Sequence, residues 1–370
     1  MIVFPDYKNN ILNISATLAD YLGIENSYPK LDIIQKRLNK HYKNVIFIIF
    51  DAMGYYNLKN HLSEDDILVR NTKTKITSVF PSTTTNATTT MMSLSYPGEH
   101  CWLGWSLYFK EIDACVDIFL NKLSGQNKYL EKDFVFNLMP YDSYYNQKPD
   151  NDISVYTLFP EFVETGVSQN HYSYNGIADM FAQLNAINRT CERKMIYVYC
   201  NEPDQTMHQC GATSQTAGKL IKDINNRVTV LHNQIEDTLI IITADHGQID
   251  VTDYIALYQD RELNNYLNRP LAMETRATAI SVDPMQEKTF ERFFNGKYGE
   301  HSLYKTSDLI STGVFGPTLR RRARDFLGHF IAVPKQNSGF LLHKATLPYP
   351  GNHGGLTPEE MYVPLILIER

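Results

Sequence analysis

The chain has 370 residues, 43% of them hydrophobic and 21% charged, a balance that excludes a disordered polypeptide and supplies a sizeable core. That length suits one large domain or two ordinary ones. Its formal charge of −6 excludes a protein that neutralises nucleic-acid phosphates over a broad basic surface, so no duplex partner is expected.

The first buried strand is predicted over VIFIIF, residues 45–50, and Asp51 follows it at once in DAMG. Residues 81–90, PSTTTNATTT, then gather six threonines and a serine. Helix capping is one use for such hydroxyls, and presenting one of them as a nucleophile is another. Residues 106–150 are rich in Tyr, Asn and Asp and read as a surface excursion. MIYVYC, residues 195–200, is the second buried strand. It leads to Asp204 and His208, whose i, i+4 spacing puts both side chains on one face of a helical turn. A helix is predicted over 214–236, where Leu220, Ile221, Ile224, Val228, Leu231 and Ile235 recur at three- and four-residue steps.

TLIIITA, residues 238–244, is the third strand and runs directly into Asp245 and His246, with Gly247 letting the chain turn behind them. Residues 255–345 carry a strand-like piece (277–283) and a helix-like piece (285–299) and read as a smaller inserted subdomain beside the main sheet. Within them LRRRARDF, 319–326, reads first as a solvated helix face and second as a binder of an anionic group. His353 stands in the glycine-rich GNHGG, and VPLILIE, 363–369, is the last strand. These four Ile- and Val-rich runs lack period-two alternation, as strands of a parallel sheet buried on both faces do. With helices between them they predict an α/β fold. No apolar run reaches about 18 residues and no leader is evident. The five cysteines have no CxxC pairing. A cytoplasmic protein with reduced thiols and no membrane association is therefore expected.

The chemistry follows from what stands after each strand. Open α/β sheets bind ligands beyond the carboxyl ends of their strands, so Asp51, Asp204 and Asp245 converge there. Carboxylates crowded together repel, and a metal removes the conflict. Three aspartates with His208, His246 and His353 form a mixed oxygen and nitrogen donor set, which suits zinc and admits manganese.

In this order DAMG, FPSTTTNATTTMMSLSYPGEHCWLGW, PDQTMH, TADHG and NHGG resemble the type I phosphodiesterase/nucleotide pyrophosphatase family of the alkaline phosphatase superfamily, over residues 45–369. The resemblance implies an alkaline-phosphatase-like three-layer α/β sandwich around a mostly parallel sheet, within a single domain spanning 1–370. It also implies two divalent metals, most simply Zn2+. One would be held by Asp204, His208 and His353, and the other by Asp51, Asp245 and His246 together with the oxygen of the nucleophile. The nucleophile maps to Thr84, with Thr83 and Thr85 one residue to either side. The implied activity is hydrolysis of a phosphodiester or nucleotide pyrophosphate through a threonyl-phosphate, on a small phosphorylated substrate. A phosphomonoesterase or phosphonate hydrolase of the same superfamily is the alternative, and a non-catalytic phosphate- or nucleotide-binding protein is a further one.

One departure stands out. Many nucleotide-cleaving relatives carry an asparagine 21 residues after the nucleophile, where this chain has Trp105. Either Asn86 or a backbone N–H is the substitute donor, or the substrate differs. Trp102, Trp105 and Tyr108 otherwise read as core aromatics or as the wall of an apolar pocket.

Overall fold

A computed structural model describes residues 1–147, 151–163 and 170–370. Its central sheet has seven strands in the order Thr72–Thr77, Tyr362–Glu369, Thr238–Thr243, Asn44–Phe50, Lys194–Cys200, Ser154–Pro160 and Asn170–Tyr174. The last five of these run parallel to one another. Strands Asn44–Phe50 and Thr238–Thr243 are buried at every position, the outcome expected of apolar runs covered on both faces. Helix Gln215–Gln234 turns Ile221, Ile224, Val228 and Leu231 into that core. The Ser214 side chain starts the helix by accepting the Ala217 N–H at 3.1 Å.

Two expectations need correction. Strand Tyr362–Glu369 is buried along most of its length, as Thr238–Thr243 is, but runs antiparallel to both strands beside it. An unbroken apolar run reports burial on two faces and carries no information about direction. Pro364 fits there because this half of the strand pairs with Thr72–Thr77 alone, while pairing with Thr238–Thr243 begins at Ile366. The second correction concerns residues 106–150, of which 148–150 lie outside the described residues. Strands Ser106–Phe109, Ala114–Asp117 and Lys122–Leu123 are no surface excursion. They extend a second, antiparallel seven-stranded sheet that also holds Ala272–Glu274, Ala277–Ile280, Phe330–Val333 and Ser302–Lys305. Leu107, Phe109 and Val116 are fully buried, and Tyr144 and Tyr145 are buried as well. A Tyr-rich composition is therefore a poor guide to exposure in this segment.

Within residues 255–345, helix Glu287–Lys297 contributes Phe290 and Phe294 to an apolar cluster with Phe330 and Phe340. Helix Arg321–Leu327 buries Ala323, Phe326 and Leu327, while Arg320, Arg321 and Arg324 are exposed. Among the described residues no helix is long and apolar enough to cross a membrane.

Candidate metal and nucleophile site

The register of three parallel strands sets the site. Ile49 lies opposite Tyr199 on one side and Thr243 on the other. Because side chains alternate along a strand, Asp51 and Asp245, each two residues further on, emerge on the same face as Tyr199. The Tyr199 hydroxyl donates to Asp51 Oδ2. A short loop after Cys200 brings Asp204 alongside, its N–H donating to the Asp51 carbonyl at 3.1 Å. Asp204 then opens helix Asp204–Cys210, which carries His208 one turn later on the same face.

The six candidate ligands form two groups of three, Asp204 with His208 and His353, and Asp51 with Asp245 and His246. In each group the ligand atoms lie within 4.8 Å of one another. In all three histidines Nδ1 faces a main-chain carbonyl: Gly351 O at 2.8 Å for His208, Ser82 O at 3.0 Å for His353 and Gly247 O at 3.1 Å for His246. A carbonyl only accepts, so each Nδ1 carries the hydrogen and each Nε2 presents a lone pair. The lone pairs of His208 and His353 face each other at 3.2 Å, with Asp204 Oδ1 at 3.3 and 3.7 Å from them. His246 Nε2 faces Asp51 Oδ1 and Asp245 Oδ2, each at 3.4 Å. Asp204 Oδ1 and Asp245 Oδ2 are buried without a hydrogen-bond donor. Each group is thus a set of acceptors converging on one point, an arrangement that repels itself unless a cation occupies the point.

The electrostatics agree. Burial, then the charges of Asp245 and Asp204, push the Asp51 carboxyl well above its ordinary range. Burial also holds His353 far below the usual imidazole value, helped by His246 and His208. Carboxylates that resist ionisation and an imidazole that resists protonation are the condition in which a divalent ion stabilises the folded chain. Zinc at 100 times its dissociation constant should therefore add about 2.7 kcal/mol per independent site to the unfolding free energy. Thermal melts with and without chelator check this, and an unchanged midpoint would count against both groups as metal sites.

Thr84 begins helix Thr84–Ser93, and its Oγ1 lies 3.2 Å from His246 Nε2 and 3.3 and 3.4 Å from the two Asp51 oxygens. One hydroxyl hydrogen therefore faces three acceptor atoms. Thr85 is fully buried with no partner for its hydroxyl. Thr83 occupies the N-cap position, yet its side chain makes no capping bond, contrary to the capping use of this cluster. The other hydroxyls brace the turn by different means: Ser82 Oγ donates to Gly355 O at 2.8 Å, and Thr88 Oγ1 to Thr84 O at 2.6 Å. Asn86 donates its amide to Pro81 O at 2.9 Å and so belongs to the scaffold of the turn.

Trp102 is buried, and its indole donates to Met139 O, whereas Trp105 is 38% exposed. The Trp105 N–H donates to Glu274 Oε1 at 2.6 Å. Glu274 and Tyr199 are the residues that sequence reasoning missed. Tyr199 was open to discovery, because strand parity aligns it with Asp51. Glu274 sits in no strand-end or glycine-rich signal. Burial pushes its carboxyl up to about 7, against the Thr83 hydroxyl and Trp105 N–H, which favour the charged form.

Two glycines are needed for space or conformation. A Cβ on Gly247 would lie 1.9 Å from the Glu359 carbonyl, so close approach, and not the sharp turn expected, requires glycine here. Gly354, at φ +110°, passes against the Glu274 side chain just after His353.

The family model described as type I phosphodiesterase / nucleotide pyrophosphatase matches residues 45–302. The chain belongs to the type I phosphodiesterase/nucleotide pyrophosphatase family. Among solved structures it is similar to murine ectonucleotide pyrophosphatase/phosphodiesterase 5, an inactive form in complex with AMP, at 16% identity, a TM-score of 0.64 and 87% coverage of each chain. The human counterpart superposes at 16% identity and a TM-score of 0.65, covering 88% of this chain and 87% of that one. Phosphonoacetate hydrolase from Sinorhizobium meliloti 1021, in complex with phosphonoformate, gives 14% identity and a TM-score of 0.62, with 87% of this chain and 89% of that chain covered. No curated protein sequence matches the chain. For this family member the likeness to solved structures establishes the fold, a mixed α/β architecture around a mostly parallel sheet.

Proposed function

We propose that this protein is a metal-dependent hydrolase of a phosphodiester or nucleotide pyrophosphate, with Thr84 as nucleophile. The observation that carries the reading is the pair of acceptor-only clusters, one of which includes the Thr84 hydroxyl among its neighbours. Two divalent ions, zinc by donor type with manganese as the second fit, would supply the Lewis acidity that acidifies the Thr84 hydroxyl and stabilises the departing oxygen. With both bound, +4 from the ions and −3 from Asp51, Asp204 and Asp245 leave a local +1, which attracts a phosphate into a globally acidic protein.

The residues divide the remaining work. Thr84 gives up its hydroxyl proton to solvent, Oγ1 attacks and bonds to phosphorus, and the bond to the leaving oxygen breaks with its electron pair on that oxygen, which water then protonates. The N–H groups that open helix Thr84–Ser93 would be the backbone donors to the phosphoryl oxygens. Water then adds to the phosphothreonine, the Oγ1–phosphorus bond breaks, and the hydroxyl is restored as a phosphate monoester leaves. Tyr199 orients Asp51 throughout by its hydroxyl hydrogen bond. The same reading takes the substrate to be a small phosphorylated molecule and residues 255–345 to be an inserted subdomain that shapes the pocket. The five unpaired cysteines accord with a reducing, cytoplasmic setting.

Purified protein loaded with zinc or manganese is expected to hydrolyse bis(p-nitrophenyl) phosphate and to lose that activity to a chelator. A panel of diesters, monoesters, dinucleotides and phosphonates assigns the leaving group. Failure to turn over any of them with two ions bound would favour a non-catalytic binding role.

A further inference from the structure

Glu274 is a carboxyl group for which neither the metal clusters nor the attack on phosphorus has a use. It is 8% exposed, at the end of strand Ala272–Glu274, and it meets three segments that flank the site. Its Oε1 accepts the Trp105 N–H at 2.6 Å. The Thr83 hydroxyl, next to the proposed nucleophile, interacts with it. Its Cβ and Cγ lie 3.1 and 3.2 Å from where Gly354, next to His353, would carry a side chain. Asp117 and Asp204, both acidic, act on it to disfavour its charged form. A buried acid in these surroundings costs stability, and no packing purpose requires one: glutamine has the same shape and could accept the same N–H.

Resting on the hydrolase reading above, we infer that Glu274 is a specificity-determining residue that selects substrates carrying one negative charge on the reacting phosphorus. Its ionised form takes the local +1 of the loaded site to zero. A dianionic phosphomonoester loses more attraction from that change than a monoanionic diester or the bridging phosphate of a pyrophosphate. The acid stands behind Trp105, whose main-chain N–H it accepts. Specificity is thereby obtained by repulsion of the wrong substrate as well as by attraction of the right one.

The test compares kcat/KM for p-nitrophenyl phosphate and bis(p-nitrophenyl) phosphate in zinc-loaded protein at pH 8.5, where the monoester is a dianion, for wild type and Glu274→Gln. The wild type should favour the diester, and the monoester-to-diester ratio should rise about tenfold in the variant. A ratio unchanged within twofold overturns the assignment, including the case where both rates fall together, as a merely structural role would produce. A wild type that favours the monoester overturns it as well. A wild type that cleaves neither ester, with its metal bound, instead brings down the hydrolase reading and the selector with it. Glu274→Ser removes the same charge, leaves room for a water on the Trp105 N–H, and is read in the same way if the glutamine variant does not fold.

Discussion

Thr84→Ala is expected to lower kcat for bis(p-nitrophenyl) phosphate by at least about 10³-fold, because loss of the attacking atom removes the covalent route altogether. What survives is whatever positioning and electrostatic stabilisation the rest of the site supplies. The six aspartate and histidine side chains are untouched by this change, so metal content should stay at the wild-type value and separate loss of the nucleophile from loss of the ions. Thr84→Ser keeps an oxygen at the same point and should retain measurable turnover. Thr85 offers an internal control: its hydroxyl is buried, and Thr85→Val should keep most of the activity. If Thr84→Ala kept more than a tenth of wild-type kcat, attack by this hydroxyl would have to be abandoned.

The second large effect is on stability. Arg276 and Glu360 are both fully buried and form a two-pronged ion pair, Nε to Oε1 at 2.6 Å and one terminal nitrogen to Oε2 at 3.0 Å. Both groups are heavily engaged. Arg276 also donates to the carbonyls of Gln336 and Ser338, and Glu360 also accepts from Gly355 N–H at 2.8 Å and the Thr357 hydroxyl at 2.8 Å. Burial acts to raise the Glu360 carboxyl, but Arg276 beside it, together with the Gly355 N–H and the Thr357 hydroxyl, holds it below the ordinary range. A depressed acid contributes stability that is present above its unfolded value, about 4.3, and is lost as pH falls through the folded one.

Glu360→Ala should cost about 3–5 kcal/mol, since it strands a guanidinium in the interior. That is a large share of the roughly 5–15 kcal/mol by which folded proteins exceed the unfolded chain. Replacing both partners, Arg276→Met with Glu360→Leu, should cost less than either single change, because no charge is left alone. Urea titrations of the two single variants and the double variant measure this. Equal midpoints for Glu360→Ala and wild type would show the pair to be dispensable. The loss should reach the site too, since Gly355, Thr357 and Glu360 tie down the loop that presents His353.

Much of the site was legible because its ligands obey simple local rules. Asp51 and Asp245 sit just past apolar strands, where side chains have little packing purpose. Asp204 and His208 share a helical face, and His353 is flanked by glycines that cannot bury it. The structure brings all six together in the two groups of three that the resemblance implied. Other features depend on contacts between distant segments, which no local rule encodes. Ser106 pairs with Met273 across more than 160 residues, and only that pairing sets Trp105 against Glu274. The direction of strand Tyr362–Glu369 is decided by its partners, and its own apolar run would look the same either way. The Thr cluster misled for a related reason: Thr83 holds the N-cap position, but its hydroxyl finds Glu274 instead of the helix backbone.

The aim of the three imidazoles is fixed by peptide oxygens, those of Ser82, Gly247 and Gly351. No substitution can delete a peptide oxygen, so mutational libraries aimed at new substrates can vary the surrounding side chains without re-pointing the rings. Conversely, an engineer who wants a different metal spacing will have to reshape loops, because single-residue exchanges leave the anchors where they are.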